Sequence, residues 1–350
     1  MKKVGILTFH DEPNYGAFLQ TYALSEAVKE LGFEVEIIDL RIKDTFKYNF
    51  MSKLLGPIIR FFIFEKPRRK FLNRSKIYAS SQELIDNPPN CDIFILGSDQ
   101  VWNKDIIADL KYSFFFDFIK DNKTRFAYAS SFGMNKWGFN NEETIIIKKL
   151  LNNFSSIGVR ESTAINLLKE NCGVEATLVL DPTLLISDYS KITGPTKQKP
   201  NSMVCFKFKK DKDFYPFLRE FKNENNFVIS VMAKTTPIKG LINIPLPSVK
   251  KWIKSIAQSE IVLTDSYHVL IFSIIHEKQF IVLPANVKNF NRLSELLSDL
   301  DLSNRIFYSY DEVLKSDRWK TRIDYSKVKK LLTKKVDNSL SFLKEELSKN

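Results

Sequence analysis

Cysteine is scarce in this 350-residue chain: Cys91, Cys172 and Cys205 lie far apart, with no CxxC spacing. A disulfide scaffold or a zinc knuckle is therefore not expected. There is no GxGxxG stretch, which argues against a dinucleotide site. No uninterrupted apolar run reaches the length of a membrane span. The short run in MKKVGILTF leads into polar HDEPNYG and fits a first core strand better than a secretion signal. No clustered His, Asp or Glu spacing asks for a metal, and there is no internal repeat or low-complexity tract. These absences point to a cytoplasmic protein.

What is present is the composition of a folded protein, 44% hydrophobic and 27% charged, with 29 phenylalanines to fill cores. Its length suits two domains. The net charge is +12, from 53 basic and 41 acidic residues. Such an excess favours anionic partners, which include membrane surfaces and small phosphorylated anions. Nucleic acid is not expected among them.

The stretch around which the chain is organised is Glu260 to Leu283, EIVLTDSYHVLIFSIIHEKQFIVL. It reads as a strand (Ile261 to Leu263), a polar hinge (Thr264, Asp265, Ser266), an apolar helix (Tyr267 to His276) and a second strand. The hinge falls at the carboxyl end of a strand, the edge where open α/β sheets place their ligands. It offers a capping side chain and backbone N–H groups at a helix N-terminus, where anions bind. His268 sits in that first turn. The plain alternative is a histidine packed beneath a loop.

The chain opens as βαβ: a strand from Val4 to Phe9, a helix from Ala17 to Leu31 capped by Gly32, and a strand from Phe33 to Leu40. A parallel sheet with right-handed crossovers follows from that order. In the first loop His10 and Asn14 either face a ligand or fix the turn. Residues 46–74 carry eight Lys or Arg, one Glu and seven aromatic residues. They form the heart of a basic, aromatic insertion over 42–80. That mixture suits either contact with an anionic membrane surface or a helical hairpin covering the sheet.

Asp92 to Leu96 is a buried-type strand ending in GSDQVWN. There Ser98, Asp99, Gln100 and Asn103 suit a hydroxyl-rich ligand, and Trp102 offers a face for a sugar ring. Arg160 stands between the strand Ile157 to Val159 and a helix from Ser162. That is the place for an arginine that grips phosphate or carboxylate in a bidentate fork, unless it merely pairs with Glu161. The boundaries that follow are a first α/β domain over 1–186, a linker over 187–202, a second over 203–324 and a tail helix over 325–350. Two Rossmann-like domains facing each other across a cleft are expected, with the tail packing back across it.

The stretches NYGAFLQTYAL (14–24), GSDQVWN (97–103), YASSFG (128–133), GVRES (158–162), DPTLL (181–185) and TDSYH (264–268) occur in this order. Together they resemble the polysaccharide pyruvyl transferase family. The resemblance implies a GT-B-like fold and transfer of pyruvate from phosphoenolpyruvate onto two sugar hydroxyls, giving a cyclic ketal and phosphate. It also implies that Arg160 and His268 meet the donor's phosphate and carboxylate; the hinge residues Asp265, Ser266 and Tyr267 are further candidate donor contacts. The family usually has a small residue after this histidine, whereas Val269 stands here, and its branch would crowd an approaching anion.

For that chemistry His268 is the candidate acid, being tunable near neutrality. Asp99 is the candidate base, with His10 second. Asn14, Ser98, Gln100, Trp102 and Asn103 are candidate acceptor contacts. Phosphoenolpyruvate is the co-substrate, no metal or other cofactor is implied, and the sugar acceptor is either lipid-linked or free. Two other readings share the scaffold: a glycosyltransferase using a nucleotide sugar, and a non-catalytic scaffold in envelope-sugar assembly.

Overall fold

Short β-rich runs alternating with helices build two parallel sheets. The computed structural model describes residues 1–41, 58–232, 236–284 and 290–349. Part of the expected basic insertion, 42–57, lies outside the described residues. The chain divides into two units, Met1–Ile186 with Lys334–Asn350, and Ser187–Thr333.

The first unit holds seven strands: β1 (Lys3–Leu7), β2 (Glu34–Leu40), β3 (Arg74–Tyr78), β4 (Ile93–Leu96), β5 (Thr124–Ser130), β6 (Ile157–Val159) and β7 (Thr177–Leu178). They run in the order β3-β2-β1-β4-β5-β6-β7, every pair parallel. The central strands are buried on both faces, as their continuous apolar sequence requires: all four residues of β4, IFIL, are buried. The strand order reverses between β1 and β4, where Leu7 lies opposite Leu96. The loop after Leu7 and the turn after Leu96 therefore share one sheet edge. The helix Tyr15–Glu30 starts from Asn14, whose Oδ1 accepts the Gly16 N–H at 2.8 Å.

The second unit holds β8 (Ser202–Phe206), β9 (Val228–Met232), β10 (Ile242–Ile244), β11 (Ile261–Thr264) and β12 (Gln279–Val282). Their order is β10-β9-β8-β11-β12, again all parallel. The switch point falls between β8 and β11. Phe214, Phe217, Phe221, Phe227, Phe307 and Trp319 fill the core on one face.

Some expected elements differ. The sequence predicts no strand at β3 or β10. Both are edge strands, and β3 (RSKIY) carries no apolar run. Arg305 to Tyr308, whose apolar pair Ile306 and Phe307 predicts a strand, follows a 3-10 turn at Ser303–Arg305 and makes one bridge, from Ile306 to Val282. The buried Arg305 guanidinium there donates to the carbonyls of Arg318 and Trp319, so its segment is held by a side chain instead of a ladder. Residues 187–202 belong to the second unit. Tyr189 is buried with its ring centroid 4.7 Å from that of Phe272, and Lys199 N donates to Gln258 O at 2.8 Å.

The tail helix, Tyr325–Ser348, begins in the second unit and from Lys334 onward belongs to the first. There the Ser339 hydroxyl accepts the Leu180 N–H at 3.0 Å, the Ser155 hydroxyl donates to Glu346 at 2.6 Å, and Leu343 is fully buried. Leu343→Ala should cost about 2–5 kcal/mol of unfolding free energy through the cavity it leaves. Denaturant titration of the purified variant measures it.

Candidate active site

In the first unit the sheet edge beside the switch point is occupied by its own side chains. Gln20, fully buried on the first helix, donates to Thr8 Oγ1 at 3.0 Å and accepts from Ser98 Oγ at 2.5 Å. Thr8 in turn donates to Ser98 O at 2.9 Å. Gly97 precedes this turn with φ +121, and an added Cβ would stand 2.1 Å from Tyr128 O. Only glycine fits such a place. Asp99 follows, also at positive φ (76).

Arg160 closes the same edge. Its Nη1 donates to Asp181 at 2.8 Å and its Nη2 to Asp99 at 3.0 Å, with the Glu161 carboxylate 3.9 Å from Nε. The Arg160 side chain is only 1% exposed and that of Asp99 is 13% exposed. Arg160 thus stands at the expected strand-to-helix junction, with its Nη groups held by two carboxylates of the chain. Asp181 also accepts from the Thr183 N–H and hydroxyl at 3.0 and 2.6 Å. Glu161 accepts from the Ser131 hydroxyl at 2.6 Å.

Several side chains read as ligand contacts prove to have internal work. His10 is buried, its Nε2 2.9 Å from Asp39 and its Nδ1 3.2 Å from Thr8 O. Burial disfavours the charged form of Asp39, yet hydrogen bonds from His10 and Arg41 outweigh it and hold the carboxyl well below its ordinary range. Trp102 has no open face for a sugar. It is buried, stacked on Phe115 at 5.7 Å, and donates from Nε1 to Phe114 O at 3.1 Å. Asn103 caps the short helix Lys104–Ile107 and donates to Gln100 at 2.8 Å. Asn14 is exposed and caps its helix.

The second unit's edge is different. Ser266 stands at the N-cap of the helix Tyr267–Ile275 but makes no side-chain capping bond, contrary to the expectation for the hinge. The capping geometry is displaced by one bond: Thr264 Oγ1 accepts the Ser266 N–H at 2.9 Å. Asp265 accepts the Phe208 N–H at 2.9 Å, which ties the end of β11 to the residues after β8. Burial raises the Asp265 carboxyl above its ordinary range, and the same cause lowers the nearby Lys207 ammonium, whose Nζ donates to Leu283 O at 2.8 Å. His268 is half-buried in the first turn, edge-on to Tyr267 with centroids 5.6 Å apart. The Arg292 guanidinium lies 5.8 Å over the Tyr267 ring. Val269 is fully buried, so its branch packs inside the unit.

Sequence reasoning gave no role to Gln20, Asp39, Asp181, Lys207 or Arg292. Gln20 and Asp181 lie inside stretches already singled out, and a polar residue within an apolar helix was a usable signal for Gln20. Among the described residues no group of three or more His, Cys, Asp or Glu could hold a metal ion.

Two parallel-sheet Rossmann-like units of this kind define a GT-B-like fold, and the solved structures similar to this chain agree. A UDP-GlcNAc 2-epimerase from Neisseria meningitidis bound to UDP-GlcNAc is 10% identical, with TM-score 0.57 and 100% of both chains covered. A putative UDP-N-acetylglucosamine 2-epimerase from Listeria monocytogenes is 10% identical, with TM-score 0.58, covering 99% of this chain and 97% of the other. Arabidopsis thaliana UGT89C1 complexed with UDP-L-rhamnose is 10% identical, with TM-score 0.56, covering 99% and 98%. No curated protein sequence matches the chain. The family model described as polysaccharide pyruvyl transferase matches residues 14–286. The chain belongs to the polysaccharide pyruvyl transferase family.

The Asp39 carboxyl supplies a pH test. Its folded pKa is depressed, so its contribution to stability is complete above the unfolded value of about 4 and is lost progressively as pH falls from there through the lower folded value. Asp39→Asn should lower the melting temperature by several degrees at pH 7, and the gap to the wild type should begin to narrow only as pH falls below about 4. Calorimetric scans across that range measure both.

Proposed function

We propose that this transferase moves the pyruvyl group of phosphoenolpyruvate onto two hydroxyls of a sugar, in a cell-surface polysaccharide or its lipid-linked precursor, at the cytoplasmic side of the membrane. The observation that carries this reading is the family match over residues 14–286. The half-buried imidazole at a helix N-terminus beside the second unit's switch point supports it, because an anionic donor suits a helix N-terminus.

In this reading His268 protonates the terminal carbon of the enol, which becomes a methyl group, and the first sugar hydroxyl bonds to the neighbouring carbon. The second hydroxyl then bonds to that carbon as the carbon–oxygen bond to phosphate breaks. Both hydroxyl protons leave, one balancing the carbon protonation and one going with phosphate. Arg160 is the donor's clamp and Asp99 the base. Because Arg160 already holds Asp99 and Asp181, the donor anion reaches it only by displacing a carboxylate. Asp99 is the more exposed of the two and is the one released.

The nucleotide-sugar reading is favoured by one observation, the likeness of the fold to structures solved with UDP sugars. Stabilisation by phosphoenolpyruvate and not by UDP in a thermal-shift assay separates the two. His268→Ala should lower phosphate release from phosphoenolpyruvate by about a hundredfold or more while the melting curve stays unchanged. Turnover near the wild-type rate would remove His268 as the acid.

A further inference from the structure

Four of the exposed large hydrophobic side chains fall within five consecutive positions: Ile58 (55%), Ile59 (38%), Phe61 (38%) and Phe62 (59%). They belong to a helical stretch, 58–71, that continues through a π-turn at Phe61–Glu65 into the helix Lys66–Phe71. The opposite face of that stretch is anchored. Ile63 and Phe64 are buried, and Phe64 lies 5.1 Å from Tyr15. Arg60 donates to Asp11 O at 3.0 Å, while the buried Arg68 reaches Asp11 at 3.4 Å and the Glu12 carbonyl. The helix is thus fixed to the loop after β1 and presents its apolar residues outward.

The same outer face carries cations. Lys66, Arg69 and Lys70 are exposed, and the Arg69 side chain is 66% exposed, lying 5.4 Å over the Phe61 ring. Glu65 is the only carboxylate in 58–71, and it is held by Arg74 at 2.6 Å and Arg69 at 2.9 Å. Apolar side chains rimmed by cations, on a helix lying flat against its own domain, match what an anionic bilayer interface binds. A second copy of the chain fits worse, since a two-fold contact would set the patch that carries Lys66, Arg69 and Lys70 against the same cationic patch, on a chain of net charge +12.

We propose that the outer face of residues 58–71 is a docking surface for anionic lipid, with Phe61 and Phe62 entering the headgroup boundary and Lys66, Arg69 and Lys70 meeting lipid phosphates. This deepens the membrane-side location in the proposed function and does not require its chemistry. The test uses the full chain with vesicles of phosphatidylcholine alone or mixed equally with phosphatidylglycerol, without donor or acceptor. Its outcome is therefore independent of whether phosphoenolpyruvate is the donor.

Co-sedimentation with the mixed vesicles alone is expected, weakened at high salt. Phe61→Ser with Phe62→Ser, and separately Lys66→Glu with Lys70→Glu, should each lower partitioning at least tenfold. Melting curves confirm folding; should the phenylalanine variant not fold, the exposed lysine variant still decides. Equal binding to both vesicle types, no binding to either, or variants that bind like the wild type would overturn the proposal. So would a patch-dependent change in molar mass without vesicles, which would assign the face to a second copy.

Discussion

The first unit depends on one buried guanidinium. Arg160 joins the end of β6 to Asp99, in the turn after β4, and to Asp181, in the loop after β7. Burying an arginine with two carboxylates carries a desolvation cost that only good geometry and further hydrogen bonds offset. Those bonds are present: Thr183 satisfies Asp181 twice, and Ser131 occupies the neighbouring Glu161. Losing one member would strand a charge inside the unit. The arrangement therefore holds three loops at a single edge, whatever else that edge does.

Both units have the same kind of topological switch, yet they use it in opposite ways. In the first, Gln20, Thr8 and Ser98 knit the β1 and β4 ends together, and the glycine before Ser98 is required by the carbonyl beneath it. In the second, Asp265 spans the β8 and β11 ends, and the side chain of the N-cap residue Ser266 makes no capping bond to the following helix. Half-buried His268 and Tyr267 and the Arg292 guanidinium gather there instead. A knitted edge has spent its donors internally, whereas at the second edge the described contacts are one carboxylate and stacked rings.

The two parallel sheets were legible because buried strands of the IFIL and IVLT kind are short, apolar and bounded by polar turns. The strands that escaped notice, β3 and β10, lie at sheet edges, where half of each strand faces water and the apolar signal fades. The site was legible as positions and less so as roles. GSDQVWN was read as a ligand-facing loop because its polar residues follow a strand, but spacing does not tell which way a side chain turns. Trp102 turned inward onto Phe115, and Asn103 and Gln100 bonded each other. Arg160 was correctly placed at a strand-to-helix junction, while its two acidic partners, 61 and 21 residues away in sequence, had no local signature.

The basic stretch shows why composition could not decide its own partner. Arg60 and Arg68 differ from Arg69 and Lys70 in nothing that a residue count registers, yet the first pair is committed to Asp11 and the carbonyls beside it. Only the second pair, with Lys66, remains on the outer face. Position around the helix makes that separation, with Ile63, Phe64 and Arg68 turned inward and Phe62, Arg69 and Lys70 outward. The same placement divides the phenylalanines: Phe64 fills the interior and Phe62 does not. The charge that bears on a surface is thus what remains after the fold has taken its share, and at 58–71 that remainder is cationic and apolar together.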